Sequence, residues 1–164
     1  MKKVLFFLFN SIYIFASCQN AEPETYLIPS GFQGRVAIVL NQSKGYSKSY
    51  EKSRRVYRID TTGVLLTQFG VNDGFINCQY FYVDSTGQRR ILRNLENKNL
   101  IIDENEIGIF QSRTGIAYGS SGTPNSIDTQ EFIVSTRKNL KLYTTPEYRK
   151  LFNTKLKKIV GHEF

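Results

Sequence analysis

From residue 26 onward the chain is a succession of short segments rich in β-branched and aromatic residues, each bounded by Gly, Asn, Asp or Ser. Such residues fit a pleated, half-buried surface, and the bounding residues make turns. Arg35–Leu40 (RVAIVL) follows Gly31-Phe32-Gln33-Gly34. Arg54–Ile59 (RRVYRI) follows a polar loop over 41–53, and Val64–Phe69 (VLLTQF) follows Asp60-Thr61-Thr62-Gly63. Tyr80–Asp84 and Gln88–Arg93 flank Ser85-Thr86-Gly87 as a hairpin, with Gly87 free to take a positive φ. Within Arg54–Ile59, Val56 falls on one face and Tyr57 and Ile59 on the other. A period of two implies sheets with one wet face. The expected fold is mainly β, an antiparallel β-sandwich or a partly open barrel.

The second half is less regular. Ile107–Phe110 and Gly115–Tyr118 read as two short strands around Ser112-Arg113-Thr114, Gly119–Ser126 as a loop, and Glu131–Thr136 as a further strand. The period then changes. Thr145-Pro146 supplies an N-cap followed by proline at the first helical position. Tyr148, Leu151, Phe152, Leu156 and Ile159 recur on one stripe, Lys155, Lys157 and Lys158 gather in the last turns, and Gly161 closes the segment. One C-terminal amphipathic helix is expected at about 146–160. Docking on a sheet is favoured over a membrane-surface role.

The N-terminus carries an address. Lys2 and Lys3 precede an apolar run from Val4 to Phe15, which ends in Ala16-Ser17-Cys18. That order is a charged region, a short apolar region and small residues before a cysteine, the layout of an export signal. About twelve apolar residues are too few for a spanning helix, which needs roughly 20. The small-small-Cys ending resembles the lipobox of bacterial lipoproteins, and the resemblance implies cleavage after residue 17 and lipidation of Cys18. Residues 18–25 (CQNAEPET) read as a flexible tether. The organisation expected is therefore a signal at 1–17, a tether at 18–25 and a single β-rich domain at 26–164. Gln19 in place of an aspartate after Cys18 favours the outer membrane, periplasmic or surface-facing.

The signal holds two lysines and no acid, so the formal charge of +8 falls by two on cleavage. A basic chain invites nucleic acid, but an exported, lipidated protein does not share a compartment with a genome. The partners expected are the membrane, through lipid on Cys18, and an envelope protein or polysaccharide. With Cys18 lipidated, Cys78 is unpaired, and its place before Tyr80-Phe81-Tyr82-Val83 favours burial.

One stretch goes beyond general pattern. Tyr26-Leu27-Ile28-Pro29-Ser30-Gly31-Phe32-Gln33-Gly34-Arg35-Val36 leads into Ile38-Val39, then Arg55-Val56-Tyr57-Arg58-Ile59, Gly63-Val64-Leu65-Leu66-Thr67 and Phe81-Tyr82-Val83-Asp84. This order resembles a family of uncharacterised small lipoproteins and secreted proteins of Bacteroidota. The resemblance covers about residues 25–95. It implies a fold and an address, and brings no activity with it.

Catalytic residue types are scarce. The single histidine, His162, lies at the far end, past the helix, where a general base would be poorly held. Histidine-rich and cysteine-cluster metal sites are excluded by count, and Gly31-x-x-Gly34 lacks the Lys and Ser/Thr of a phosphate loop. Asp103, Glu104 and Glu106 form the one dense acidic cluster, the weak candidate for a metal or for a glycosidase carboxylate pair, though a solvated turn is the plainer reading. Catalytic residues and cofactors are both expected to be none. The expected function is a lipid-anchored cell-envelope protein of structural, adaptor or ligand-binding type. An alternative is a module for carbohydrate or anionic polymer, with Arg54, Arg55, Arg58, Tyr80 and Tyr82 as candidate ligand residues. Further alternatives are a partner-binding inhibitor or immunity-type lipoprotein and a carboxylate glycosidase.

Overall fold

A computed structural model describes residues 21–97, 103–118 and 126–161. The signal, Cys18, the first tether residues, most of the loop at 119–126 and His162 lie outside the described residues. Nine strands form two sheets. The first contains β1 (Glu24–Pro29), β3 (Tyr50–Glu51), β4 (Arg54–Arg58), β6 (Cys78–Val83) and β7 (Arg89–Leu92), in the order β3-β4-β1-β6-β7. The second contains β2 (Gly34–Val39), β5 (Val64–Leu66), β8 (Ile107–Tyr118) and β9 (Ile127–Thr136), in the order β5-β2-β9-β8.

The mainly β class with a sandwich-like arrangement is as expected, but the sheets are mixed rather than purely antiparallel. β1 runs parallel to both β4 and β6, and β2 runs parallel to β5. The reason is that β1 and β2 are successive in sequence but belong to different sheets. β1 then meets β4 and β6, and β2 meets β5, by crossovers, while β3–β4, β6–β7 and β8–β9 stay antiparallel. The tether also ends earlier than expected. Glu24 and Thr25, read as its last residues, open the central strand of the first sheet and are buried.

The core fills the space between the sheets. Tyr26 and Ile28 of β1, Tyr57 of β4, and Tyr80 and Tyr82 of β6 meet Val36 and Ile38 of β2 and Phe132 and Val134 of β9. The Tyr26 ring stacks on Tyr57 at 5.2 Å and on Tyr80 at 4.7 Å, and meets Phe132 edge-on at 5.3 Å. Aromatic pairs at this spacing add about 0.5–1.5 kcal/mol each beyond the area they bury.

A third layer explains why period two fails in β9. The helix α1 (Pro146–Val160) packs Phe152 and Leu156 against Ala37, Val39, Val64 and Ile127, on the outer face of the second sheet. A 3-10 turn at Leu140–Tyr143 covers Phe110 and Ile133. The second sheet is thus buried on both faces, and nine of the ten residues of β9 are buried. The helix follows its expected bounds. Thr145 accepts a hydrogen bond from the Tyr148 N–H, and Gly161 caps the other end at φ +88°. Leu151, placed on the apolar stripe by spacing, is instead 71% exposed. Among the described residues no helix is long and apolar enough to cross a membrane.

Two backbone positions carry the turns. Gly63 takes φ +74°, and a Cβ there would stand 2.5 Å from the Arg35 carbonyl oxygen. Gln111 takes φ +51° inside β8. The register against β9 shifts between Phe110 and Arg113 and again between Arg113 and Ile116. The two short strands expected on either side of Ser112-Arg113-Thr114 are therefore one bulged strand.

Candidate functional site

The residues proposed from sequence as a ligand surface do not converge. Tyr80 and Tyr82 are 4% and 1% exposed, because both occupy the inward positions of β6. Their hydroxyls are engaged, Tyr80 with Ser112 Oγ at 3.0 Å and Tyr82 donating to the Phe32 carbonyl at 2.5 Å. Arg54 donates from Nη2 to the Glu24 and Asn77 carbonyls, both at 2.6 Å, and from Nε to Thr25 Oγ1. Arg55 pairs with Glu22, donates to the Gly70 carbonyl at 2.7 Å and lies 5.0 Å over the Phe69 ring. Both arginines lace the opening of β1 to its neighbours. Of the five, Arg58 alone is largely exposed, with 64% of its side chain open and Glu51 at 3.3 Å.

The acidic cluster does not gather either. Asp103 Oδ1 accepts the Asn105 backbone N–H, which closes a turn. Glu104 faces Arg137 at 3.9 Å, and Glu106 faces Arg93 at 3.3 Å. Among the described residues no three His, Cys, Asp or Glu side chains come together as a metal cage.

Sequence reasoning missed Glu24. Its carboxylate is fully buried between the sheets, and every donor that reaches it is neutral. Asn72 Nδ2 donates at 2.8 Å, Gln130 Nε2 at 3.0 Å, Tyr57 Oη at 3.2 Å, and Tyr26 Oη also donates. Asn72 is oriented in turn by Glu22, whose N–H it accepts and to whose carbonyl it donates. Burial, together with the Glu24 charge, holds the Tyr26 and Tyr57 hydroxyls well above the ordinary tyrosine range. The arrangement ties β1, β4, β9 and the loop 70–77 to one carboxylate. Among the described residues Glu24 is fully buried, and its bonds make it a structural knot between the sheets. The one available signal was its position, two residues before Tyr26 on the inward-facing side of a strand.

Cys78 sits beside Glu24 in the paired register. It is half-buried, where its place before Tyr80-Phe81-Tyr82-Val83 had favoured full burial. Burial and the neighbouring carboxylate push its thiol up, away from the thiolate that nucleophilic chemistry requires. It borders an open groove of about 820 Å³ that also touches Phe75, Tyr80, Ile91 and Ser112.

A second open feature is built for contact. The strip 43–50 crosses from the second sheet to the first, held by the Tyr46 N–H on the Leu66 carbonyl and the Gln68 N–H on the Tyr46 carbonyl. Gly45 lies against Leu66 and Thr67 too closely for any Cβ. Tyr46 is thereby lifted out at 70% exposure. Two recesses share Tyr46 and Asp60. One, of about 390 Å³, adds Lys44, Thr62 and Ile159. The other, of about 360 Å³, adds Ser47, Ser49 and Arg58. An exposed aromatic ring thus borders two recesses lined by hydroxyls and charged side chains.

A family profile described as a family of unknown function, DUF6843, matches residues 20–141. The chain belongs to the DUF6843 family. Its match covers both sheets and stops before the helix, and its unassigned function agrees with the expectation of an uncharacterised family. No curated protein matches the chain in sequence. Among solved structures, a candidate lipoprotein from Bacillus anthracis is similar at 19% identity and a TM-score of 0.50, over 70% of each chain. That likeness bears on the fold of this DUF6843 member alone.

Proposed function

We infer that the protein is a lipid-anchored component of the bacterial cell envelope that binds its ligand without transforming it. The ligand is an envelope carbohydrate held in the paired recesses around Tyr46. The observation that carries this reading is the exposed Tyr46 ring bordering two recesses. A sugar presents an apolar face to an aromatic ring and a rim of hydroxyls to polar groups. Ser47, Ser49, Asp60, Thr62, Lys44 and Arg58 supply that polar rim. The export signal and Cys18 support the anchor, and Gln19 supports outer-membrane sorting. The carbohydrate alternative read from the sequence is retained, with Arg58 kept and the buried Tyr80 and Tyr82 replaced by Tyr46. The non-enzymatic reading is supported by the enclosure of Glu24 and by the Cys78 thiol, which burial pushes up.

The test uses the exported chain carrying Cys18→Ala, probed against a panel of envelope polysaccharides. Tyr46→Ala is expected to lower affinity at least about tenfold, or about 1.4 kcal/mol. It should leave the urea midpoint unchanged, because the ring is largely solvated. A panel to which the parent chain does not bind refutes the carbohydrate reading. Radioactive fatty-acid labelling tests the anchor: the wild type is expected to incorporate label and the Cys18→Ala chain to lose it. Equal labelling of the two, or none in either, refutes lipidation.

A further inference from the structure

We propose that the loop 70–77 is a membrane seat: with Cys18 lipidated, Phe75 and Val71 rest in the interface of the bilayer that holds the anchor. The inference rests on the anchored reading above. It starts from chain length. Three residues lie between Cys18 and Glu22, four residue steps in all, and a fully extended chain spans at most about 3.6 Å per residue. Glu22 is therefore held within about 14 Å of the lipidated cysteine, and Glu24, which opens β1, within about 22 Å.

The loop 70–77 lies at that same end and is bolted to it. Asn72 exchanges two hydrogen bonds with the Glu22 backbone, Arg55 reaches the Gly70 carbonyl, Arg54 reaches the Asn77 carbonyl, and the Glu24 N–H donates to Asn77. β4 and β6 run parallel to β1, so their first residues, Arg54 and Cys78, mark this end too. The turn at Lys52-Ser53 precedes Arg54 here and exposes Lys52.

Phe75 is 88% exposed, the highest value among the large apolar side chains of the described residues, and Val71 is 36% exposed. A phenyl ring held out by a pinned loop is costly in water and well placed in a headgroup region. Lys52 is a cation suited to anionic headgroups, while Glu22 and Asp73 oppose it, so the apolar contact leads. Asp60 and Thr62 follow the other end of β4, so the recesses around Tyr46 extend away from this face.

The chain contains no tryptophan, so a single indole reports its own depth. The full-length lipoprotein carrying Phe75→Trp is purified from membranes and reconstituted in phosphatidylethanolamine–phosphatidylglycerol vesicles, with and without brominated acyl chains. Thr86→Trp, in the hairpin at the opposite end of β6, is the control. The expected result is a blue-shifted maximum and loss of emission in brominated vesicles for Phe75→Trp, and neither for Thr86→Trp. Vesicle flotation is read in parallel. A protein that floats while its Phe75→Trp indole stays unquenched overturns the membrane seat and leaves the anchor standing. A protein that does not float overturns the anchor and the seat together.

Discussion

Replacing Glu24 by alanine is expected to cost about 3–5 kcal/mol of folding stability, read as a large drop in urea midpoint at neutral pH. The loss exceeds that of an ordinary truncation because an acceptor shared by four buried donors is removed, although Tyr26 retains Gln130 Oε1 at 3.3 Å and Asn72 the Glu22 carbonyl as further acceptors. Asn72, Gln130, Tyr57 and Tyr26 all point at the carboxylate, and none of the four is a charged group with a counter-ion elsewhere. A buried donor left without a partner costs about 1–3 kcal/mol, and repacking recovers only part of the sum. Glu24→Gln discriminates this account from simple volume loss. The glutamine amide keeps the shape but turns its NH₂ toward donors. Asn72 cannot invert its own amide without losing the Glu22 N–H. A cost of about 1–3 kcal/mol is expected for Gln, less than for Ala. A Glu24→Ala protein that unfolds at the parental midpoint ends the idea of a structural knot.

Alkaline pH should unfold the domain steeply. Burial raises the Tyr26, Tyr57 and Tyr80 hydroxyls above the ordinary tyrosine range, with the Glu24 charge adding to the shift, and Tyr82 is pushed up by burial to about 12. In the unfolded chain these groups ionise near 10. The sign follows from proton counting. Above pH 10 the unfolded state binds fewer protons than the folded state, so stability falls as pH rises; below pH 10 it is fully present. Each tyrosine contributes a slope of about 1.4 kcal/mol per pH unit, so Tyr26, Tyr57 and Tyr80, held furthest above the ordinary range, act together at about 4. A domain of ordinary stability loses its margin within about two pH units of 10. Urea midpoints from pH 8 to 12, followed alongside phenolate absorbance, should show the buried phenolates emerging together with unfolding. Phenolate that develops fully while the fold persists contradicts the burial account.

Much of the architecture is legible in local pattern because each local rule had one outcome. Thr145-Pro146 and Gly161 bracket α1 as their capping chemistry requires. The hairpin at Ser85-Thr86-Gly87 closes with Gly87 at φ +85°, where a side chain would be strained. What local pattern misread shares one cause, the neighbour across the fold. Tyr80 and Tyr82 alternate with Phe81 as a strand dictates, but which face is wet depends on the second sheet. Arg54 and Arg55 read as candidate ligand residues, yet the carbonyls at 24, 70 and 77 and the Glu22 carboxylate claim them. Glu24 read as tether because a lone acid after a proline carries no periodic signal. Its partners lie 48 and 106 residues away in the chain.

The sequence by itself determined the mainly β class, the helix and its caps, because period and capping act over a few residues, and its charge order supplied the expectation of an envelope address. The tertiary structure alone decided that the sheets are mixed, that one carboxylate is knotted inside the core, that Tyr46 is lifted into solvent beside two recesses, and that Phe75 projects from the loop pinned to the opening of β1. Those outcomes depend on which segments meet across long loops. A one-dimensional pattern specifies the face that wants burial but not the partner that provides it.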